Sequence, residues 1–260
     1  MRNERKLNQK QIEKEILKIS SQPEKTRLSF RLFSRLERML FAVNFNLRKK
    51  ISLADPSQGT GTFSESLQDK FALKIGNLSG LNTYIEIGAG HPVKGNNTYL
   101  LEQKGWKGFS IELDPVLVND FVNLRKNPVR SADGTEFDYL TKMNELNLGL
   151  NIGYLQVDID PSVQSLKTLL KLPFNTHKFA AITFEHDAYR SDSRIRELQR
   201  KYLLGFGYVL IASNVKVNRF FAYEDWWVHP DLINLAEIEY FKSRNKHPLK
   251  MTWDHSLAHQ

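Results

Sequence analysis

The chain has 260 residues, 41% of them hydrophobic and 25% charged, with a formal net charge of +8, which suits one α/β domain with an appendage. It contains no cysteine, so disulfides, thiolate metal ligands and a cysteine nucleophile are excluded. No apolar run approaches the roughly 18 residues of a membrane span, and the polar start carries no apolar signal-type stretch, so a cytoplasmic setting is expected.

Residues 1–62 read as a basic helical arm and connector, ahead of a domain over 63–260. Residues 1–50 hold 14 Lys and Arg against 5 acids, whereas the remainder holds 23 against 24. The basicity therefore belongs to the arm and says nothing of the domain's substrate. Ile12, Ile16 and Ile19 lie near helical spacing in a charged segment that Ser20-Ser21-Gln22-Pro23 interrupts. Residues 28–47 alternate apolar and basic side chains at helical spacing. Such a stretch either lies on a membrane, a nucleic acid or a partner, or packs its apolar face on the domain. Residues 51–62 form a Pro/Gly/Ser connector, and 63–75 read as a helix capped by Ser64 or Ser66. Strands are expected at 83–88, 108–113, 128–132, 152–159, 179–185 and 208–215, with helices over 97–104, 115–125, 162–171 and 191–204. This alternation predicts an α/β fold with a doubly wound, mostly parallel, seven-stranded Rossmann-like sheet.

Tyr84–Pro115 carries the chemistry. A strand ending in Glu86 enters the turn Gly88-Ala89-Gly90, a polar helix start follows at Asn96-Asn97-Thr98, and a second strand ends in Glu112 about twenty residues on. Glycines there admit a cofactor's backbone contacts, and the second acid holds a ribose diol. A carboxylate at the turn repels a pyrophosphate but suits the positive charges of S-adenosylmethionine (SAM). The pattern therefore points to that cofactor and away from a dinucleotide.

With its blocks SLQDKFAL, YIEIGAGHP, NNTYLLEQKGWKGFSIELDP, SADGTEF, YLQVDIDPS, ITFEHDAY and YEDWWVHP in order, the chain resembles the FkbM-type methyltransferases, a branch of the class I SAM-dependent superfamily. The resemblance runs roughly from Ser64 to Pro230. It implies that Glu86, Gly88 and Gly90 form the first SAM motif and that Glu112 holds the ribose. It also implies that Asp133 accepts from the adenine amino group and that Asp158 contacts the methionyl ammonium or positions the reacting group. Gln68 and Asp69 match an element that approaches the cofactor, and Asn97 and Thr98 match a helix start that receives the methionyl carboxylate. Two departures stand out: His91-Pro92 follows Gly90 in place of a third glycine, and Asp158-Ile159-Asp160-Pro161 replaces the familiar Asp-Val-Glu-Gly.

Asp158 and Asp160, two apart, are expected to face the same way at a strand's carboxyl end, near Glu185-His186-Asp187 on the next strand. His186 or Asp160 then serves as the base for an acceptor hydroxyl, with Asp158 positioning the reactants. The cluster demands some cation. A divalent ion such as Mg²⁺ or Mn²⁺, held by Asp158, Asp160, Glu185 and Asp187, is one candidate, and a substrate amine or the sulfonium is another. Trp226, Trp227 and His229 either wall the acceptor pocket or fill the core, and His91 either faces the reaction centre or bonds its own turn. The reading is methyl transfer from SAM to a hydroxyl of a small molecule or sugar. The alternative is a nucleic-acid methyltransferase whose arm contacts phosphates.

Overall fold

A computed structural model describes residues 9–21, 61–216 and 222–244. In chain order the elements are α1 (Gln9–Ser20), α2 (Gln68–Ser79), β1 (Thr83–Ile87), α3 (Tyr99–Gln103), β2 (Lys107–Glu112), α4 (Pro115–Leu124) and β3 (Val129–Ser131). There follow α5 (Tyr139–Glu145), β4 (Asn151–Val157), α6 (Ser162–Lys171), β5 (Lys178–Glu185), α7 (Ser193–Gly205), β6 (Val209–Lys216), β7 (Ala222–Val228) and α8 (Leu235–Arg244). The basic stretch 28–47, the connector over 51–60 and His247, His255 and His259 lie outside the described residues.

The strands form one seven-stranded sheet in the order β3-β2-β1-β4-β5-β7-β6. Neighbours from β3 to β5 pair in parallel, and β7 runs antiparallel to both β5 and β6. The order reverses between β1 and β4, and ligands of open α/β sheets bind outside the strand ends at such a switch. This is the doubly wound, mostly parallel, seven-stranded sheet expected from the alternation.

Strand period two splits the core between two clusters. Ile85, Ile87, Leu155, Val157, Ile182 and Phe184 join side chains of α5, α6 and α7 in one, with Ile12 and Ile16 of α1. Tyr84, Tyr154 and Ala181 join Phe71, Ala72 and Ile75 of α2 in the other. Local chemistry marks the helix ends. Asp114, with Pro115 behind it, accepts from Val116 N at the start of α4, and Asp192 accepts from Arg194 N at the start of α7.

Three departures from the sequence expectations bear on the site. The helix expected over 63–75 starts at Gln68, because Asp69 gathers the preceding segment. It accepts from Thr62 Oγ1 at 2.5 Å, Phe63 N at 2.8 Å and Ser64 Oγ at 2.8 Å. The strand expected to reach residue 159 ends at Val157. The block YEDWWVHP holds all but the first residue of β7, a strand that none of the six expected segments covers.

Candidate active site at the carboxyl edge of the sheet

The glycine turn leaves β1 at the switch point. Gly88 N and Ala89 N donate to Ile111 O of β2 at 3.0 and 3.1 Å. Gly88 has φ +73°, and a Cβ there would lie 1.7 Å from Asp158 O, so this glycine lets β1 and the end of β4 approach. Gly90 differs. Its φ is +61°, and a Cβ there would meet nothing within 4 Å, so open space adjoins it. Gly90 N donates to Glu112 Oε2 at 2.8 Å, and Glu112 Oε1 accepts from Leu113 N and Asp114 N at 2.8 and 2.9 Å. The acid at the end of β2 is thus fastened to the glycine turn. A carboxylate offers about four acceptor sites, so three backbone bonds leave Glu112 roughly one for a ligand hydroxyl.

Glu86 takes a different place from the one expected. It is buried and turned into the protein, accepting from Ser110 Oγ at 2.6 Å. Burial raises its carboxyl above the ordinary range, against the pull of Arg125 and of the Ser110 bond. Its carboxyl therefore turns to partners inside the protein. Thr98 also departs from expectation. It is fully buried, its Oγ1 accepts from Arg125 Nη2 at 3.0 Å, and the helix it precedes spans only Tyr99–Gln103. Asn97 Oδ1 is buried with no hydrogen-bond partner, an unused acceptor that suits a donor group and not the carboxylate expected there.

Asp158, Glu185 and Glu224 meet where the carboxyl ends of β4 and β5 adjoin the amino end of the antiparallel β7. Glu185 and Glu224 are register partners across the antiparallel pair. Burial, then Asp158 and Asp187, push Glu185 well above the ordinary carboxylate range, and Glu185 donates a hydrogen bond to Asp158. Asp158 itself is raised to about 7, burial being the main cause. Burial also raises Glu224 to about 8, against bonds from Trp226 Nε1 and Gln68 Nε2. The edge is therefore a carboxyl group bonded to a carboxylate, with a third carboxyl group nearby.

The cation this cluster demanded is a side chain. Arg190 Nη2 lies 2.7 Å from Asp160 Oδ1, 2.5 Å from Asp187 Oδ2 and 3.8 Å from Glu185 Oε1. The expectation of a divalent ion on Asp158, Asp160, Glu185 and Asp187 is corrected on this ground, since a guanidinium already pairs with Asp160 and Asp187. Among the described residues no group of three or more His, Asp or Glu could hold a metal ion. Because β4 ends at Val157, Asp158 and Asp160 also part company. Asp158 is half-buried on Glu185, whereas Asp160 is exposed on Arg190.

His186 is buried beneath this edge. Its Nδ1 accepts from Ala188 N at 3.1 Å, and its Nε2 lies 3.4 Å from Asp225 Oδ1. Asp225 also accepts from Gln199 and Arg200 of α7. Burial opposes its ionisation, but Arg200 and His186 outweigh that and lower its carboxyl to about 2. Fully enclosed and joined to α7, His186 does not reach an acceptor as the expected base would; it is a hydrogen-bonded structural residue.

The Trp pair is core. Trp226 stacks on Phe71 of α2 with ring centroids 4.8 Å apart, Trp227 lies in the opposite cluster, and both are fully buried. His229 sits at the other edge of the sheet, because β7 runs backwards: its N–H donates to Ala180 O near the start of β5. His91 bonds its own turn, Nδ1 accepting from Val93 N and Lys94 N at 3.1 and 3.0 Å.

Gln68 bridges to the site. It accepts from Ser66 N at 2.8 Å and donates to Tyr223 Oη at 2.9 Å and to Glu224 Oε2 at 3.4 Å. Asp133 is exposed after β3, and its Oδ1 accepts from Thr135 N and Thr135 Oγ1, both at 2.8 Å. Those bonds hold its carboxyl below the ordinary range.

No protein-family model matches the chain, and no curated protein matches it by sequence. Among solved structures it is similar to a TehB-like SAM-dependent methyltransferase from Corynebacterium glutamicum, at 11% identity and TM-score 0.43, covering 73% of this chain and 98% of that one. It is similar to a putative O-methyltransferase from Klebsiella pneumoniae at 13% identity and TM-score 0.42, covering 72% and 96%. It is also similar to the plantazolicin methyltransferase BpumL in complex with SAH at 11% identity and TM-score 0.44, covering 84% and 98%. Likeness of this depth identifies neither an activity nor an acceptor.

Proposed function

We propose that this chain is a SAM-dependent methyltransferase of the FkbM type that methylates a hydroxyl of a small molecule or sugar. One observation carries the reading: the bond from Gly90 N to Glu112 Oε2, which fixes a carboxylate beside open space at the switch between β1 and β4. That is where a ribose hydroxyl is held in nucleotide-type sites. The residues suit the cofactor. Glu112 keeps acceptor capacity for a ribose hydroxyl, and Asp133 stands after β3 for the adenine amino group. Asn97 Oδ1 is an unused buried acceptor for the methionyl ammonium, while Gln68 and Asp158 bound the site from α2 and β4. Glu86, Gly88 and Thr98 support the turn from behind.

When bound, SAM supplies a methyl group on a sulfonium, and the transfer needs chiefly alignment of the two reactants. The chain then has to receive the acceptor's proton. Asp158, raised to about 7 and bonded to Glu185, is ionised in part near neutral pH, which suits a general base. Asp160, tied to Arg190, orients that guanidinium over the same edge. Incubation with methyl-labelled SAM and a panel of sugars and hydroxylated metabolites tests this assignment. Label on an oxygen is expected, and label on nitrogen or carbon would contradict it.

A further inference from the structure

Arg125 lies just past α4 and has no place in the chemistry above. Its guanidinium carries five N–H groups, and all five are used. Nε donates to Glu102 Oε2 at 3.0 Å, Nη1 to Pro92 O at 2.9 Å and Asn96 Oδ1 at 3.1 Å, and Nη2 to Tyr84 Oη at 3.1 Å and Thr98 Oγ1 at 3.0 Å. Three of these partners, Pro92, Asn96 and Thr98, belong to the segment between Gly90 and α3. The bonds continue into the glycine turn, because Asn96 Nδ2 donates to Ala89 O at 3.2 Å while its Oδ1 accepts from Thr98 N and Tyr99 N at 3.0 and 2.7 Å. Glu86, near the end of β1, is raised by burial, and the same guanidinium opposes that shift.

A buried charge is a costly way to gain stability, since apolar residues of similar volume usually serve as well. What it provides is geometry. The planar fork of an arginine fixes several partners at once, which a lysine ammonium does not do. Residues 91–98 contain no regular strand or helix, so these side-chain bonds define their path. We propose that Arg125 is a positioning residue: through Pro92, Asn96 and Thr98 it holds the segment after the glycine turn in the arrangement that receives the cofactor. The ligand half of this statement rests on the methyltransferase reading, and the loop half does not.

The test uses the full chain carrying Arg125→Lys, which keeps the charge and loses the fork. Amide hydrogen exchange over residues 88–98 is followed without ligand, and S-adenosylhomocysteine (SAH) affinity is measured by calorimetry. Ile152→Val, in the core cluster of the other face, serves as a control for general destabilisation. Arg125→Lys is expected to speed exchange over 88–98 by about tenfold or more relative to the sheet, and to weaken SAH by about tenfold or more. Ile152→Val should lower the melting temperature and move neither readout. If Arg125→Lys does not fold, Asn96→Ala breaks the same chain of bonds with Arg125 kept, and the same loop exchange is expected. Unchanged loop exchange in whichever variant folds would overturn the proposal. If the wild type binds no SAH, the methyltransferase reading fails, and the loop exchange alone still decides the role of Arg125.

Discussion

Glu224 is the residue whose environment speaks most directly in a solution experiment. It is 2% exposed, no described cation pairs with it, and burial raises its carboxyl from 4.5 to about 8. The folded chain therefore keeps a proton that the unfolded chain releases near pH 4.5. Stability from this group is full below that value, falls as pH rises, and is lost above about 8. Each pKa unit is worth about 1.4 kcal/mol, so the decline amounts to a few kcal/mol. Urea midpoints measured between about pH 5 and about pH 9 should fall in the wild type and flatten in Glu224→Gln. Equal slopes in the two proteins would remove Glu224 from the account. Asp158 belongs to the same edge, but its proton is shared with Glu185, so its titration is expected to appear in turnover as a rise with pH through about 7.

β7 shows how an element can be misread when its side chains are considered singly. YEDWWVHP reads in sequence as an aromatic wall for an acceptor, because two adjacent Trp and a His draw the eye. As a strand it alternates. Glu224 and Trp226 face α2, whereas Asp225 and Trp227 face α7, so each face of the strand carries one acid and one core tryptophan. Trp226→Ala should therefore cost about 3–5 kcal/mol in urea unfolding, as truncation of a buried aromatic does. A variant of unchanged stability with altered acceptor preference would restore the pocket-wall reading. Asp225→Asn should cost about 3 kcal/mol by leaving Arg200 and His186 without their carboxylate. Residual activity of the folded fraction should not change, and selective loss of turnover would return His186 to the catalytic list. The βαβ unit was far more legible. The turn at Gly88 and Gly90, the acid at Glu112 and the helix over 162–171 follow from local spacing, which fixes neighbours in space when a strand, turn and helix follow one another. Arg125 and Arg190 follow from no such rule. Arg190 meets Asp160 across 30 residues and Arg125 meets Tyr84 across 41, contacts that only the assembled sheet brings about.

At the scale of the molecule, the parallel pairing brings the carboxyl ends of β1, β2, β4 and β5 to one edge, while the antiparallel β7 sends His229 to the other. That edge holds its own cation in Arg190, so the fold does not depend on a divalent ion to offset its carboxylates. Exhaustive EDTA treatment should leave cofactor binding and melting temperature unchanged, and loss of either that Mg²⁺ restores would contradict the assignment of Arg190. The central claim is that the glycine turn at the switch between β1 and β4, with Glu112 fastened to Gly90, receives an adenosyl ligand. Calorimetric titration of the full chain with SAM, SAH and NAD, repeated on Glu112→Ala, tests it most directly. Saturable binding of the two adenosyl compounds, none of NAD, and a loss of about tenfold or more in the variant are predicted. No binding of SAM or SAH by the wild-type chain, or full affinity in Glu112→Ala, would contradict it.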